Sequence, residues 1–252
     1  MLRAAITALV MSLVVVVLGG AVSLVGLIYR SPRVVAFASV VWSRVVLSLA
    51  GVRLTIEGRE RVADGIPRFF MGNHQSALDI PILLAALDGH VRFMAKNTLF
   101  RIPIFGWVLS RSGYAPIDRS NARVTFHTLN QMLERLRRDP VSLAVFPEGT
   151  RSPDGRLLPF RRGTMKIGQR SGLPVVPFSI DGSLAVYSRE RFAAHPGPVK
   201  LIFAEPIPAE EVTTMSTMEL HDRVKSTIAG LLGQAIEPQP LDHAALVGAE
   251  MV

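Results

Sequence analysis

The run Asn73-His74-Gln75-Ser76-Ala77-Leu78-Asp79 sets a histidine and a carboxylate five positions apart, directly after the apolar stretch Phe69-Phe70-Met71-Gly72. That stretch reads as a buried strand, so the pair falls in the loop at its end. A carboxylate one turn away can hold an imidazole in the tautomer that takes up a proton near neutral pH. Taken alone the pair has two readings. It is a general base with its orienter, or a core or surface histidine beside an aspartate that starts a helix.

A second constellation, Phe146-Pro147-Glu148-Gly149-Thr150-Arg151-Ser152, also follows an apolar strand. Glu148 to Arg151 then lie in a loop at a strand's C-terminal end, the edge at which open α/β sheets place their ligands. Gly149 permits a sharp turn or close backbone approach, and Arg151 can present a planar fork to a phosphate. An ordinary turn with a solvated ion pair is the competing reading. A third segment runs from Lys96 through Ile102-Pro103-Ile104-Phe105-Gly106-Trp107 to Ile117-Asp118-Arg119. It adds two cations near strand ends, and the apolar residues between them are either a greasy floor or core. The proline-bracketed strand Leu173-Pro174-Val175-Val176-Pro177 reads as structural.

These residues need a frame. Strand-like segments are expected at 52–57, 68–72, 91–95, 114–117, 141–146, 174–180 and 199–203. Helices are expected at 78–87, from Ser120 to before Pro140, at 164–170 and at 217–232. Several of the strands are continuously apolar. The expected fold class is therefore α/β, with a mixed, largely parallel sheet covered by helices on both faces.

The front of the chain differs. No charged residue occurs between Ala4 and Tyr29, a length sufficient to cross a bilayer as a helix. A cleaved signal peptide is the competing reading, with Arg3 as its basic start and Gly19-Gly20-Ala21 as a possible break, but the stretch is long for one and Ile28-Tyr29-Arg30 offers no small-residue cleavage site. A second apolar stretch, Val34 to Val52, contains only one charge, Arg44. Together the two predict an N-terminal hydrophobic helical hairpin, either spanning or half-inserted. Arginines after the first stretch place the following domain on the cytoplasmic side of an inner, cytoplasmic membrane. The net charge of +8 suits anionic lipid headgroups. Nucleic acid is the other usual partner of a basic chain, but none of its binding signatures is present. Without cysteine there is no disulfide framework, thiol nucleophile or thiolate metal site. No second pair of ligands stands near His74 at metal spacing, and the remaining histidines, at 90, 127, 195, 221 and 243, read as surface or structural.

All four constellations occur in one order, behind an apolar front. That combination resembles the glycerolipid acyltransferase family, and within it the 1-acylglycerol-3-phosphate (lysophosphatidic acid) acyltransferases. By motif the resemblance covers about residues 70 to 180. The family's histidine, four intervening residues and aspartate are matched by His74 and Asp79, and its Phe-Pro-Glu-Gly-Thr-Arg block by residues 146–151. Its middle block is matched by Lys96, by 102–107 and by 117–119.

The resemblance implies transfer of a fatty acyl group from a thioester, acyl-CoA or acyl-carrier protein, to the hydroxyl of lysophosphatidic acid, giving phosphatidic acid. It implies membrane lipid as a partner and no cofactor. With the apolar front as a membrane-anchoring segment 1–50, and two prolines without apolar periodicity marking a tail 237–252, the acyltransferase domain is 51–236. His74 would act as base and Asp79 as its orienter. Arg151, helped by Lys96 and Arg119, would clamp the phosphate. Glu148 would orient the loop or the acceptor, Gly149 and Thr150 would belong to the same binding loop, and N–H groups around the Glu148-Gly149 turn are candidate oxyanion donors. Ser76 is a conceivable nucleophile, with a local hydrogen-bonding role preferred. The competing readings keep the chemistry with another acceptor (glycerol-3-phosphate, another lysophospholipid, a lyso-aminolipid), replace it with non-catalytic lipid binding, or make the chain an anchored hydrolase.

Overall fold

The computed structural model describes residues 32–102, 106, 109–110, 114–117, 132, 134, 141–188, 190 and 193–235. Its centre is a seven-stranded sheet. The strands are β1 (Val52–Glu57), β2 (Phe69–Gly72), β3 (Val91–Lys96), β4 (Ala115–Ile117), β5 (Ser142–Val145), β6 (Val175–Asp181) and β7 (Gly197–Phe203), in the order β1-β7-β6-β2-β5-β3-β4. Only the β6–β7 pair is antiparallel. Strands β2, β5, β3 and β4 therefore end on one common edge. This is the mixed, largely parallel sheet expected from the apolar strands.

Burial separates centre from edge. Every residue of β2 and all but the last of β6 are buried, whereas β1 alternates between half-buried and exposed. Within β2 the pleat sends neighbours to opposite faces. Phe70 joins Ile82, Leu83, Phe93, Val176, Phe178 and Phe203 on one side. Phe69 and Met71 join Leu143, Met165, Leu220, Val224 and Ile228 on the other.

Helices α1 (Pro32–Leu49) and α2 (Asp79–Ala86) cover the first face, and α3 (Arg162–Ser171) and α6 (Thr217–Leu232) the second. A single turn, α4 (Ser183–Val186), and a short helix, α5 (Ala209–Thr214), were not anticipated. Helix α6 begins at a capping box, in which Ser216 and Glu219 each accept the other's backbone N–H, and it ends at Gly233 in the left-handed region.

Helix α1 modifies the expected hairpin. The stripe Ala36, Val40, Ser43, Leu47 and Ala50 is buried, and α1 packs on α2. The turn after α2 also comes close to α1: a Cβ at Gly89 would stand 2.5 Å from the Ala36 carbonyl oxygen. The opposite stripe, with Phe37, Val41 and Arg44, is exposed. The apolar run 34–49 is thus a domain helix on one side. Among the described residues no helix is long and apolar enough to cross a membrane. The run from Ala4 to Tyr29, most of the helix expected from Ser120 and the tail from 237 lie outside the described residues.

Candidate active site

Two loops on the common strand edge build the site. Register brings them together: Met71 pairs with Val145 across β2 and β5, so His74 and Glu148 each sit three residues beyond a paired position. Glu148 Oε1 accepts the backbone N–H of His74 at 2.9 Å, and Oε2 accepts that of Leu158 at 3.3 Å. Ser152 N–H closes the other side, donating to the His74 carbonyl at 2.8 Å. The histidine's backbone is therefore held at both its donor and its acceptor by the second loop.

The side chain is held independently. Asp79 Oδ2 lies 2.7 Å from His74 Nδ1 and also accepts the backbone N–H groups of Gln75 (2.7 Å) and Ser76 (2.9 Å). In the tautomer that donates Nδ1–H to Asp79, the Nε2 lone pair is available to a substrate. Nε2 has no hydrogen-bond partner among the described residues. Asp79 is fully buried in the first turn of α2, where the helix N-terminus favours negative charge. It caps nothing in the usual sense, because its carboxylate turns back to the loop.

Phe146 completes the histidine's surroundings, and it was quoted in the motif without a role. Its ring stacks on the imidazole with centroids 4.0 Å apart and planes 12° from parallel.

Ser76 is excluded as an obvious nucleophile. It is buried, and its hydroxyl donates to the Tyr187 carbonyl at 2.5 Å while accepting from Leu78 N–H. Asn73 uses both amide atoms on the backbone of Ile180 in β6, each at 2.8 Å, and fixes the base of the loop.

Glu148 is buried, and that burial pushes its carboxyl up to about 7. The two backbone donors oppose the shift and the neighbouring Asp79 charge adds to it. Its place is that of a strut between the two loops.

Gly149 has φ +69°, a region that suits glycine, and a Cβ there would stand 2.5 Å from Arg161 Nε. Its N–H is taken: it donates to the Phe146 carbonyl at 3.0 Å. That removes Gly149 N–H from the expected oxyanion donors, because closing the turn uses it. Thr150 and Arg151 follow in the same loop, and the Arg151 side chain has no ion-pair partner among the described residues. Lys96 ends β3 on the same edge, its backbone in register with Ile117. Arg119 lies outside the described residues.

The site thus sets a half-buried histidine, held at its backbone and at Nδ1, and a fully buried aspartate beside a Glu-Gly-Thr-Arg turn on one sheet edge. The sequence matches the Acyltransferase family profile over residues 53–181. The chain belongs to the acyltransferase family.

Among similar proteins, "1-acyl-sn-glycerol-3-phosphate acyltransferase BAT2, chloroplastic" of Brassica napus is 37% identical over 155 residues, which are 60% of this chain and 44% of that protein. The 1-acyl-sn-glycerol-3-phosphate acyltransferase of Saccharomyces cerevisiae is 29% identical over 210 residues, 79% of this chain and 69% of that protein. The chain thus spans less than half of the first relative's length. The crystal structure of the 1-acyl-sn-glycerophosphate acyltransferase PlsC from Thermotoga maritima superposes with a TM-score of 0.78 at 25% identity, covering 92% of this chain and 97% of that one.

Proposed function

We propose that this acyltransferase esterifies the free hydroxyl of 1-acylglycerol-3-phosphate with an acyl group from acyl-CoA or acyl-carrier protein, giving phosphatidic acid. The observation that carries the reading is the His74 Nδ1–Asp79 Oδ2 contact of 2.7 Å beside the Arg151 loop. The activity of the similar acyltransferases supports it.

In the proposed reaction Nε2 of His74 takes the hydroxyl proton as the acceptor oxygen attacks the thioester carbonyl. Asp79 stabilises the imidazolium, as in a serine-protease triad whose serine is replaced by the substrate alcohol. The carbon–sulfur bond then breaks, and the leaving thiolate receives the proton back from His74. An ester and a free thiol result, with no acyl-enzyme. With Gly149 N–H spent on the turn, the N–H groups of Glu148, Thr150 and Arg151 are the loop's remaining candidate donors toward the tetrahedral oxyanion. Arg151, with Lys96 and Arg119, grips the phosphate, and the rigid fork of Arg151 orients it.

Both substrates carry acyl chains, and each methylene buried is worth about 0.8 kcal/mol. We therefore propose that residues 1–50 hold the domain at the cytoplasmic face of the membrane, with Phe37 and Val41 turned to lipid. Replacing both by serine should lower recovery of the protein with vesicles; unchanged recovery would remove α1 from the anchor.

The test is an acceptor panel. Purified protein in mixed vesicles receives radiolabelled acyl-CoA or acyl-carrier protein with lysophosphatidic acid, glycerol-3-phosphate, lysophosphatidylcholine or a lyso-aminolipid. Phosphatidic acid should be the principal product, and Arg151→Ala should raise KM for phosphate-monoester acceptors at least about tenfold, the scale of one charge-assisted contact. Faster turnover of lysophosphatidylcholine than of lysophosphatidic acid would contradict the acceptor assignment.

A further inference from the structure

We propose that Phe146 is a positioning residue for the reaction, the platform that sets the plane of the His74 ring. The inference rests on the reading of His74 as the general base. A single hydrogen bond from Nδ1 to Asp79 fixes one atom of the imidazole and leaves the ring free to tilt about that contact. The Phe146 ring, 4.0 Å away and within 12° of parallel, removes the tilt. Contact at Nδ1 and contact on the ring face together define where Nε2 points.

Phe146 is itself immobilised. Its edge meets Phe178 with centroids 6.1 Å apart at 75°, and Phe93 lies 6.4 Å away at 17°. Its carbonyl accepts Gly149 N–H, and the next residue's carbonyl accepts Arg161 N–H at 2.9 Å. Two residues further on, Glu148 binds the His74 N–H. One short segment thus orients both the backbone and the ring of the base.

The stack also acts during the reaction. Neutral imidazole against a phenyl face gains dispersion alone. Once His74 takes the acceptor's proton, the imidazolium lies over the negative face of the ring, which attracts it further. The contact is therefore stronger after proton transfer than before it, the condition for accelerating the chemical step. A side chain that only filled space would do neither.

The experiment compares wild type, His74→Ala, Phe146→Leu, Phe146→Met and Phe146→Tyr in steady-state acyl transfer, with thermal unfolding and circular dichroism on each. Phe146→Leu should lower kcat about tenfold, the effect of losing a cation–π contact and the orientation with it, while KM for donor and acceptor stays within about twofold. Phe146→Tyr, which keeps the ring, should recover most of the lost kcat, and Phe146→Met should not. Wild-type kcat in Phe146→Leu, equal losses in Leu and Tyr variants, or a rise in KM without a fall in kcat would overturn the inference. If Phe146→Leu does not fold, the volume-conserving Met variant is read in its place; if neither folds, Phe146 is a core residue and the inference is wrong. A wild type inactive on every acceptor contradicts the acyl-transfer reading instead, whereas active wild type, inactive His74→Ala and unimpaired Phe146→Leu contradicts the platform alone.

Discussion

Glu148 Oε1 accepts the backbone N–H of His74 at 2.9 Å, so the loop after β5 sets the position of the histidine on the loop after β2. The relationship follows from parallel pairing. Residues three places beyond a paired position on neighbouring strands lie side by side at the sheet's edge, and here one of them is a carboxylate and the other an imidazole.

That strut needs two accepting oxygens, one for His74 N–H and one for Leu158 N–H. Glu148→Gln supplies one acceptor and turns an amide NH2 toward the other donor. Leaving one of these backbone donors without its acceptor costs about 1–3 kcal/mol, so kcat should fall roughly 5- to 100-fold with the helical circular dichroism retained. Turnover equal to wild type would show that the strut does not hold the base.

Burial of Glu148 carries a pH signature. Its carboxyl rises from 4.5 to about 7 in the folded chain. Between these values the folded state binds the extra proton, so this group lowers stability as pH rises through that window and not below it. Urea unfolding at intervals from pH 4 to 8 should show a steeper loss of stability between about 4.5 and 7 in wild type than in Glu148→Gln. Identical slopes would mean that the carboxyl is not shifted.

Asp79 satisfies three donors from full burial. Asp79→Ala strands the Gln75 and Ser76 N–H groups and should cost more than about 2 kcal/mol by denaturant unfolding. His74→Ala leaves both N–H bonds to Asp79 in place and should cost less. Equal costs would argue against the carboxylate as the loop's organiser.

Gly72 ends β2 against the face of Phe178, where a Cβ would come within 2.2 Å of the ring. Gly72→Ala should therefore destabilise the fold by about 1–3 kcal/mol through overpacking and displace the His74 loop, lowering activity as well. An unchanged unfolding midpoint would contradict the packing described.

The sequence carried the chemistry further than the geometry. The His74/Asp79 spacing, the Glu148–Arg151 loop and the strand-by-strand order are all visible in residue types. The contact between His74 and Glu148 is not, because β2 (Phe69–Gly72) and the part of β5 paired with it (Leu143–Val145) are apolar throughout and give no register. Phe146 is quoted in the motif, yet nothing in its apolarity distinguishes a ring stacked on a base from one buried in the core. The stretch 34–49 looked like a membrane arm because apolar residues lie on both sides of the helix. Its small residues at 36, 43 and 50, seven apart, were the available sign of a close protein neighbour, since such residues let helices approach. The N–H groups around the Glu148-Gly149 turn are equal candidates in the sequence, but the tight turn that glycine permits uses the Gly149 donor.

The most direct measurement is turnover by wild type and His74→Ala with lysophosphatidic acid and acyl-CoA in the same vesicles. If Nε2 of His74 takes the acceptor proton, the substitution should lower kcat by roughly 10²–10⁴-fold, the range for a lost general base, while leaving fold and substrate binding in place. Phosphatidic acid formed by His74→Ala at the wild-type rate would contradict the account.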